Sequence, residues 1–202
     1  MGIQERKTRH KENLRQAILD AAEELFVDEG FNNVSMRKIA KKIEYSATTI
    51  YIYFKDKGEI FHCLMEQYYR KLLVIMNNIQ DKYGEDPLEC IRKGMRAYTE
   101  FGLQNPNYYK LAFMLTPELK TEDYLDKSFV GNQVQQTLRN NVAECIRRGV
   151  FPNMETELGM EILWFMNHGI TSLLISNPAY PWVEREKLMD EYIEAAIAGM
   201  TK

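Results

Sequence analysis

Apolar residues recur at helical spacing along the chain, and the pattern predicts helices from end to end. In the first predicted helix the apolar positions are Leu14, Ile18, Ala22, Leu25 and Phe26. Gly30 follows where a helix C-cap glycine is expected. The first helix is therefore long and has one apolar face.

Two short helices and a long one are predicted next. Ser35 is a plausible N-cap for a helix of about nine residues, with apolar positions at Met36, Ile39, Ala40 and Ile43. Ser46 caps a third helix, whose inward-facing residues are Ile50, Tyr53 and Phe54. Asp56 and Glu59 resemble a capping box that starts a fourth helix. Its apolar face consists of Ile60, Leu64, Tyr68, Leu72, Ile75 and Ile79.

The remainder of the chain is also predicted to be helical. Turn residues cluster near 84–87, 105–107, 116–121, 149–153 and 177–181. The predicted helices lie near 86–104, 106–115, 122–148, 156–176 and 184–200. The predicted fold class is all-α with about nine helices, divided into an N-terminal domain (residues 1–57) and a C-terminal helical domain (residues 58–202).

Composition agrees with a soluble globular protein. Of the 202 residues, 45% are apolar and 27% are charged, which excludes wholesale disorder. No uncharged apolar run approaches the roughly 18 residues of a membrane span, and no signal-peptide stretch is recognised. The three cysteines, Cys63, Cys90 and Cys145, are odd in number and widely spaced, so a disulfide scaffold is not expected and a cytoplasmic location is.

Charge is distributed unevenly. The net charge is −3, yet residues 1–57 carry 11 basic and 9 acidic side chains while the remainder carries 15 and 20. The basic residues of the first segment begin with an arm of Arg6, Lys7, Arg9, Lys11 and Arg15. Such a gradient suggests an anionic partner for the first segment, although a charge run is more often a solvated face.

The order of the first helices predicts a helix-turn-helix. Two short helices joined by a tight turn and packed on a longer helix form this motif, and the second short helix reads the major groove of DNA. Its N-terminal tip would carry small side chains, Ala47, Thr48 and Thr49. Tyr51 lies about one turn further on, and Lys57 stands at the start of the next helix.

The same residues carry a family resemblance. The run Gly30-Phe31, Ser35-x-Arg37-x-Ile39-Ala40 and Ser46-x-x-Thr49-Ile50-Tyr51-x-Tyr53-Phe54-Lys55-x-Lys57 closely resembles the DNA-binding domain of TetR-type transcriptional regulators. Two positions depart from the family pattern. The turn carries Glu44-Tyr45 in place of Gly-Val. A non-glycine residue in a left-handed turn costs roughly 1–2 kcal/mol, so either Glu44 is strained or the turn has a different conformation. Lys38 occupies a position that is often acidic.

The resemblance implies roles for individual residues. Ser35, Arg37, Tyr51, Tyr53 and Lys57 would contact phosphates, with Arg37 also near a base and the tyrosines near thymine methyls. The N-capping Ser46 would place Ala47, Thr48 and Thr49 against base edges. Alternatives remain: the Thr49 hydroxyl could bond back to its own helix, and the tyrosine rings could belong to the core. The sequence leaves open whether the basic arm is disordered or lies in the minor groove.

The resemblance also implies an effector domain at the C-terminal end. The candidate ligand-binding residues are Met95, Tyr98, Phe101, Tyr109, Phe113, Met114, Trp164 and His168. Met and aromatic side chains suit an adaptable apolar cavity, but each could equally pack the core. The run from Trp164 to Gly169 resembles a Trp-His-Gly signature of one TetR subgroup, while His168 could instead satisfy a buried carbonyl.

Family members pair their last two helices across a two-fold axis, which implies a homodimer here. The corresponding apolar faces are Leu158, Ile162, Phe165, Gly169 and Leu173 on one helix and Leu188, Tyr192, Ala195 and Gly199 on the other. Two recognition helices about 34–36 Å apart would then address a pseudo-palindromic operator.

Other functional classes are less consistent with the sequence. We find no cluster with metal-ligand spacing, no phosphate-binding glycine loop and no nucleophile motif, so no enzyme activity, metal or cofactor is predicted. The expected partners are double-stranded DNA, a small apolar or aromatic effector and a second copy of the chain, without a membrane. The alternative is a helical protein–protein adaptor that keeps the fold but not operator binding.

Overall fold

The computed structural model describes residues 2–115 and 129–201, and all regular structure in these two ranges is helical. The nine α-helices of this described part are α1 (Ile3–Glu29), α2 (Met36–Lys42), α3 (Ala47–Tyr51), α4 (Lys57–Tyr83), α5 (Pro87–Gln104), α6 (Pro106–Tyr109), α7 (Val130–Arg147), α8 (Thr156–Ser176) and α9 (Arg185–Met200). A short 3₁₀ turn (Phe31–Asn33) follows α1, and a π-helical turn (Lys110–Met114) follows α6. The all-α prediction is confirmed.

The predicted helix bounds agree closely for α5, α8 and α9. The predicted helix over 106–115 changes character after Tyr109, where Leu115 donates its N–H to the carbonyl of Lys110 at 2.8 Å, the spacing of a π-helical turn. The helix predicted over 122–148 is observed from Val130, with Phe129 as its N-cap. Residues 122–128 of that prediction, like the turn predicted near 116–121, lie outside the described residues.

The chain forms two compact units. One contains residues 2–68 and 107–115 of the described part, and the other contains residues 69–106 and 129–201. The division falls within α4, between Tyr68 and Tyr69. The domain boundary predicted between residues 57 and 58 coincides instead with the start of α4.

In the N-terminal unit, α1 packs against α2 and α2 against α3. The core is made of fully buried side chains from every helix of the motif, among them Ile18, Ala22, Phe26, Ile39, Ile50, Phe54, Ile60 and Leu64. The rings of Phe26, Phe31 and Phe61 form a cluster with centroids 5.0–6.4 Å apart. The helix-turn-helix therefore stands on a packed aromatic and aliphatic base.

The basic arm is helical. α1 begins at Ile3, and its residues 4–13 are all exposed, with Leu14 the first buried side chain. The apolar pattern could not reveal this segment, because residues 4–13 contain no apolar side chain. The first three turns of α1 thus extend beyond the core as a polar helix.

In the C-terminal unit, α5 packs against α7, α8 and α9. A polar layer lies within this apolar core: the Thr99 hydroxyl donates to Oδ1 of Asn167 at 3.2 Å, and the Tyr192 hydroxyl donates to the same oxygen. Burial raises the pKa of Tyr192 to about 12. Outside the core, Arg92 pairs with Glu194 at 2.6 Å, which ties α5 to α9.

Helix α8 is long and apolar enough to span a bilayer by length and composition, which the sequence analysis did not predict. One such helix is weak evidence for a membrane protein, because a core helix of a soluble protein meets the same criteria. α8 carries the buried polar side chains Asn167 and Thr171, which are hydrogen-bonded to α5 and α9 or to its own backbone. Its apolar character therefore fits core packing on one side.

Candidate nucleic-acid interface

The turn between α2 and α3 is tight and closed by two backbone hydrogen bonds. Tyr45 donates its N–H to the carbonyl of Ala40 at 2.9 Å, and Glu44 donates to that of Lys41 at 3.2 Å. These are the bonds of a Schellman motif, which requires a left-handed residue after the helix. Glu44 has φ 61°, so the predicted strained conformation is present at this position.

Both short helices are capped as the sequence predicts. The Ser35 hydroxyl accepts the N–H of Lys38 at 3.2 Å and starts α2. The Ser46 hydroxyl accepts the N–H of Thr49 at 3.1 Å and starts α3. The Thr49 hydroxyl bonds to that of Ser46 at 2.9 Å, so it joins the cap; within the described part of the chain it has no bond to a backbone carbonyl.

The side chains of α3 and of the turn that follows it are buried, half-buried or exposed according to the side of the helix on which they lie. Ile50 and Phe54 are buried, as expected, and hold the helix against the core. Thr48 is exposed, Ala47, Thr49 and Tyr53 are half-buried, and 56% of Tyr51 is exposed. The predicted tip is therefore presented at the surface of the unit.

Sequence reasoning missed Ile52, of which 72% is exposed. Ile52 lies two residues from both Ile50 and Phe54, which places it on the opposite side of a helical turn. That spacing could have identified Ile52 as an exposed apolar neighbour of Tyr51. Tyr45, in the turn before α3, is also 42% exposed.

Two of the basic residues of α2 form ion pairs with α1. Lys38 forms an ion pair with Glu29 and also donates to the carbonyl of Asn33 at 3.1 Å, and Lys42 pairs with Glu24 at 2.6 Å. The hydrogen bond to Glu24 raises the pKa of Lys42. The positive charge expected from Lys38 is thus compensated within the unit. Arg37, by contrast, is exposed on the same short helix.

Lys57, the predicted phosphate contact at the start of α4, makes contacts within the unit, and its role toward phosphate stays a prediction. Its ammonium group donates to the carbonyls of Phe31 and Val34 at 2.7 and 3.1 Å and lies 4.4 Å from the centroid of the Phe31 ring. Burial lowers the pKa of this lysine. Because these contacts are internal to the unit, the side chain ties the start of α4 to the turn after α1.

The start of α4 has a modified capping box. Asp56 accepts the N–H of Glu59 at 2.8 Å, as predicted. Glu59 in return accepts the N–H of Lys55 at 2.6 Å, one residue earlier than in the standard motif. Together with Lys57, these contacts fix how the chain passes from α3 into α4.

The eight candidate effector residues belong to two different units and are described within each. In the C-terminal unit, Met95, Tyr98 and Phe101 are buried, and Met95 packs with Ile91 and Leu163 in the core. In the N-terminal unit, Tyr109 is buried with its ring 4.9 Å from that of Phe113. Met114 is 37% exposed.

The remaining two candidates lie on α8. The ring centroids of Trp164 and His168 are 6.4 Å apart, Trp164 is partly exposed, and His168 is half-buried. Burial lowers the pKa of His168, which favours the neutral imidazole. Met95 belongs to the core cluster, and a ligand contact by any of the eight residues stays a prediction.

One face of α8 carries large exposed apolar side chains. Phe165 is 80% exposed, and Leu158 and Leu173 are each about half exposed. A Cβ at Gly169 would meet open space. These four residues are among those predicted for the dimer face, and no other part of the described chain covers them. Two further residues of the predicted face, Ile162 and Tyr192, pack instead against the core of the unit.

Comparison with known proteins agrees with these features. Residues 18–64 match the model of the N-terminal domain of bacterial regulatory proteins of the tetR family, and residues 91–200 match a tetracyclin repressor-like C-terminal domain. The second match covers more than half of the chain. Neither match distinguishes the Trp-His-Gly subgroup, which stays a prediction.

Curated relatives are similar at about 30% identity. The nucleoid occlusion factor SlmA of Vibrio campbellii is 30% identical over 165 residues, covering 78% of this chain and 80% of that protein. The uncharacterized HTH-type transcriptional regulator YuxN of Bacillus subtilis is 30% identical over 94 residues, 46% of this chain. That match spans only 32% of YuxN.

Solved structures show the same fold at lower identity. The TetR family regulator PfmR of Thermus thermophilus aligns with a TM-score of 0.74 at 20% identity, over 92% of this chain and 99% of that one. The fatty acid degradation regulator FadR of Bacillus halodurans aligns with a TM-score of 0.73 at 17% identity, over 92% and 95%. With two family matches over most of its length, the chain belongs to the TetR family and is a DNA-binding transcriptional regulator, not an enzyme.

Proposed function

We propose that the protein is a cytoplasmic, ligand-responsive repressor that binds a pseudo-palindromic operator as a homodimer and is released by a small apolar effector. The observation that carries the DNA-binding part of this proposal is the exposure of Tyr51 at the end of α3, next to Ile50 and shortly before Phe54, both of which are buried. A side chain held at this position on a short, capped helix is suited to contact DNA without rearrangement of the core.

The interface that we propose is centred on α3. Ala47, Thr48 and Thr49 would approach base edges, because small side chains let the helix lie close to the floor of the major groove. Tyr51 and Tyr53 would contact phosphates or thymine methyls beside this tip. Ser35 and Arg37 at the start of α2 would hold the adjoining backbone, since phosphate contacts set the position of the reader on the duplex.

Dimerisation is supported by the exposed face of α8. A phenylalanine that is 80% exposed between two half-exposed leucines forms an apolar surface of the kind that protein interfaces cover. A two-fold dimer presents the same patch from both copies, so one face on α8 is sufficient for a self-complementary contact. The apolar positions of α9, including the exposed Ala195, would add to that contact.

The effector part of the proposal rests on Met and aromatic side chains. Such side chains accommodate apolar ligands of varied shape. To release most of the bound DNA, the effector must prefer the non-binding conformation by roughly 10²–10⁴-fold in affinity. A smaller preference would leave the operator occupied.

The alternative is an adaptor that has lost operator binding. One relative is named a nucleoid occlusion factor, so proteins at this level of similarity are not all named as repressors. Operator binding gives the exposed Tyr51 and Thr48 a direct role, whereas the adaptor assigns them none. We therefore retain the repressor as the function that the geometry supports best.

Selection from a pool of random-sequence duplexes tests the proposal. The expected product is a pseudo-palindrome whose half-sites lie about one helical turn apart, roughly 34–36 Å, or a multiple of it. Screening apolar and aromatic compounds against the selected complex then tests the effector. Enrichment of no sequence would favour the adaptor, and an unresponsive complex would leave a constitutive regulator.

A further inference from the structure

The polar layer of the C-terminal unit joins three helices inside an apolar core. It consists of Thr99 on α5, Asn167 and Thr171 on α8, and Tyr192 on α9. Thr99 and Thr171 are fully buried, and only 5% of Asn167 is exposed. The ring of Tyr192 packs against the apolar core cluster of the unit, so its hydroxyl reaches the layer from within the chain.

Each hydroxyl group of the layer has an acceptor within it. The Thr171 hydroxyl donates to the backbone carbonyl of Asn167 at 2.7 Å, and the Tyr192 hydroxyl donates to Oδ1 of the same residue. The Thr99 hydroxyl donates to that Oδ1 at 3.2 Å and lies 3.0 Å from the Thr171 hydroxyl and 3.1 Å from that of Tyr192. Thr99 and Tyr192 thus hold the side chain of Asn167 from two other helices. A buried amide that loses such partners destabilises the arrangement that it occupies.

The layer and the exposed face of α8 lie on opposite sides of that helix. At about 100° per residue, three members of the face lie within about 20° of the point directly opposite Asn167: Leu158, Phe165 and Gly169. Leu173 is about 120° away from Asn167. A rotation of α8 about its own axis that moved Asn167 out of the layer would therefore turn Phe165 toward the core.

Apolar patterning alone distinguishes the rotational settings of α8 poorly. Leu163 and Leu174 are buried. Phe165 and Leu173 are equally large and apolar, yet they are exposed. No charged residue occurs in positions 162–176. A helix with apolar side chains all round can bury any of its sides, whereas a buried polar residue is satisfied in one setting, as an asparagine is in the register of a coiled coil.

We propose that the polar layer sets the rotation of α8 and thereby keeps its exposed face available for dimerisation. Thr99 and Tyr192 are the positioning residues, because they hold Asn167 and lie on helices other than α8. The inference rests on the proposed homodimer, to which it adds the device that orients the contact surface. In any other setting of α8 the amide oxygen of Asn167 leaves both hydroxyl groups, so the layer selects one setting.

The double variant Thr99→Val and Tyr192→Phe tests the layer. It removes both hydroxyls that bind the Asn167 side chain, nearly keeps the shape of the two residues and leaves the sequence of α8 unchanged. Sedimentation equilibrium over a concentration series should show a dimer dissociation constant raised roughly tenfold or more, with the helical circular dichroism signal of the wild type. If the double variant loses that signal, Thr99→Val alone, which keeps the Tyr192 bond to Asn167, should raise the dissociation constant by about threefold or more.

Thr99→Ser is the matched control, because serine keeps the hydroxyl and loses the methyl group. Positioning by hydrogen bonds predicts that Thr99→Ser dimerises as the wild type does and that Thr99→Val dimerises more weakly. Packing by the methyl groups predicts the reverse order. That reverse order, or an unchanged dissociation constant in the double variant of a protein that does dimerise, would overturn the role of the layer alone. A wild-type protein that stays monomeric at every concentration would overturn the proposed homodimer as well.

Discussion

A single residue shows how the chain departs from its family without losing the fold. Glu44 takes a left-handed conformation, φ 61°, that the backbone bonds of the turn require. The same motif ends α7, where Gly149 has φ 73° and Val150 donates to the carbonyl of Cys145 at 2.9 Å. The two turns have the same backbone hydrogen bonds and differ in the residue at the left-handed position, which is Glu44 in one and Gly149 in the other.

Replacing Glu44 by glycine should therefore stabilise the protein. Relief of roughly 1–2 kcal/mol of backbone strain is offset by the larger entropy of glycine in the unfolded chain, leaving about 0.5–1 kcal/mol. Urea denaturation monitored by circular dichroism measures the change. Gly149→Ala is the matched control and should destabilise the protein, because alanine is strained at a φ of 73°. A Cβ at this position meets no atom within 4 Å, so the backbone conformation is the only source of the change. A loss of stability on Glu44→Gly would contradict the assignment.

Lys57 illustrates a role that sequence could not assign. Its position at the start of α4 suggests a phosphate ligand, yet its ammonium is held by the carbonyls of Phe31 and Val34. Which acceptors a lysine reaches depends on the tertiary placement of a turn more than twenty residues away. We therefore propose that Lys57 positions the helix-turn-helix, a role that its contacts with the turn after α1 support.

Lys57→Met should lower the free energy of unfolding by about 1–3 kcal/mol, because charge-assisted hydrogen bonds to carbonyls are removed. The slope of log K for DNA binding against log salt concentration should stay unchanged. Lys41→Met, at an exposed position on α2, is the matched control and should have little effect on stability. A slope reduced by about 0.9 with unaltered stability would restore Lys57 as a phosphate contact.

At the scale of elements, the helices were predictable from short-range sequence patterns, whereas the partners of the charged side chains depend on tertiary contacts. Caps at Ser35 and Ser46 and the bounds of α8 follow from short-range preferences that the sequence displays directly. The helical start of α1 has no apolar period to reveal it, and the pairing of Lys38 with Glu29 joins two helices. In the candidate site, the exposed tip of α3 was predictable from the sequence. The ion pair of Lys38 with Glu29 and the hydrogen bonds of Lys57 to backbone carbonyls were not.

Helix α8 offers a prediction at this scale. Phe165→Glu should dissociate the proposed dimer, because each copy then places a charge in the apolar contact, so the interface contains two buried like charges. Sedimentation velocity of the purified protein measures the change. Val74→Glu, at a position on α4 that is 60% exposed, is the control and should leave the oligomer intact. If Phe165→Glu sediments as the wild type does, another surface forms the dimer.

At the scale of the molecule, the net charge of −3 is the sum of a positive N-terminal segment and a negative remainder. The N-terminal segment of residues 1–57 carries a net charge of +2, but several of its cations are already paired. Non-specific attraction for DNA is thereby limited, and direct contacts by α3 must supply much of the selectivity. The account thus depends most on the exposed tip of that helix.

Equilibrium binding of the Tyr51→Ala variant to the selected operator tests this central claim most directly. A base or methyl contact is worth about 1–3 kcal/mol and the dimer makes it twice, so affinity should fall by about thirty-fold or more. Tyr180→Ala, which removes a tyrosine of similar exposure outside α3 and the exposed face of α8, should bind as the wild type does. Equal affinity of the Tyr51→Ala variant and the wild type would contradict the account.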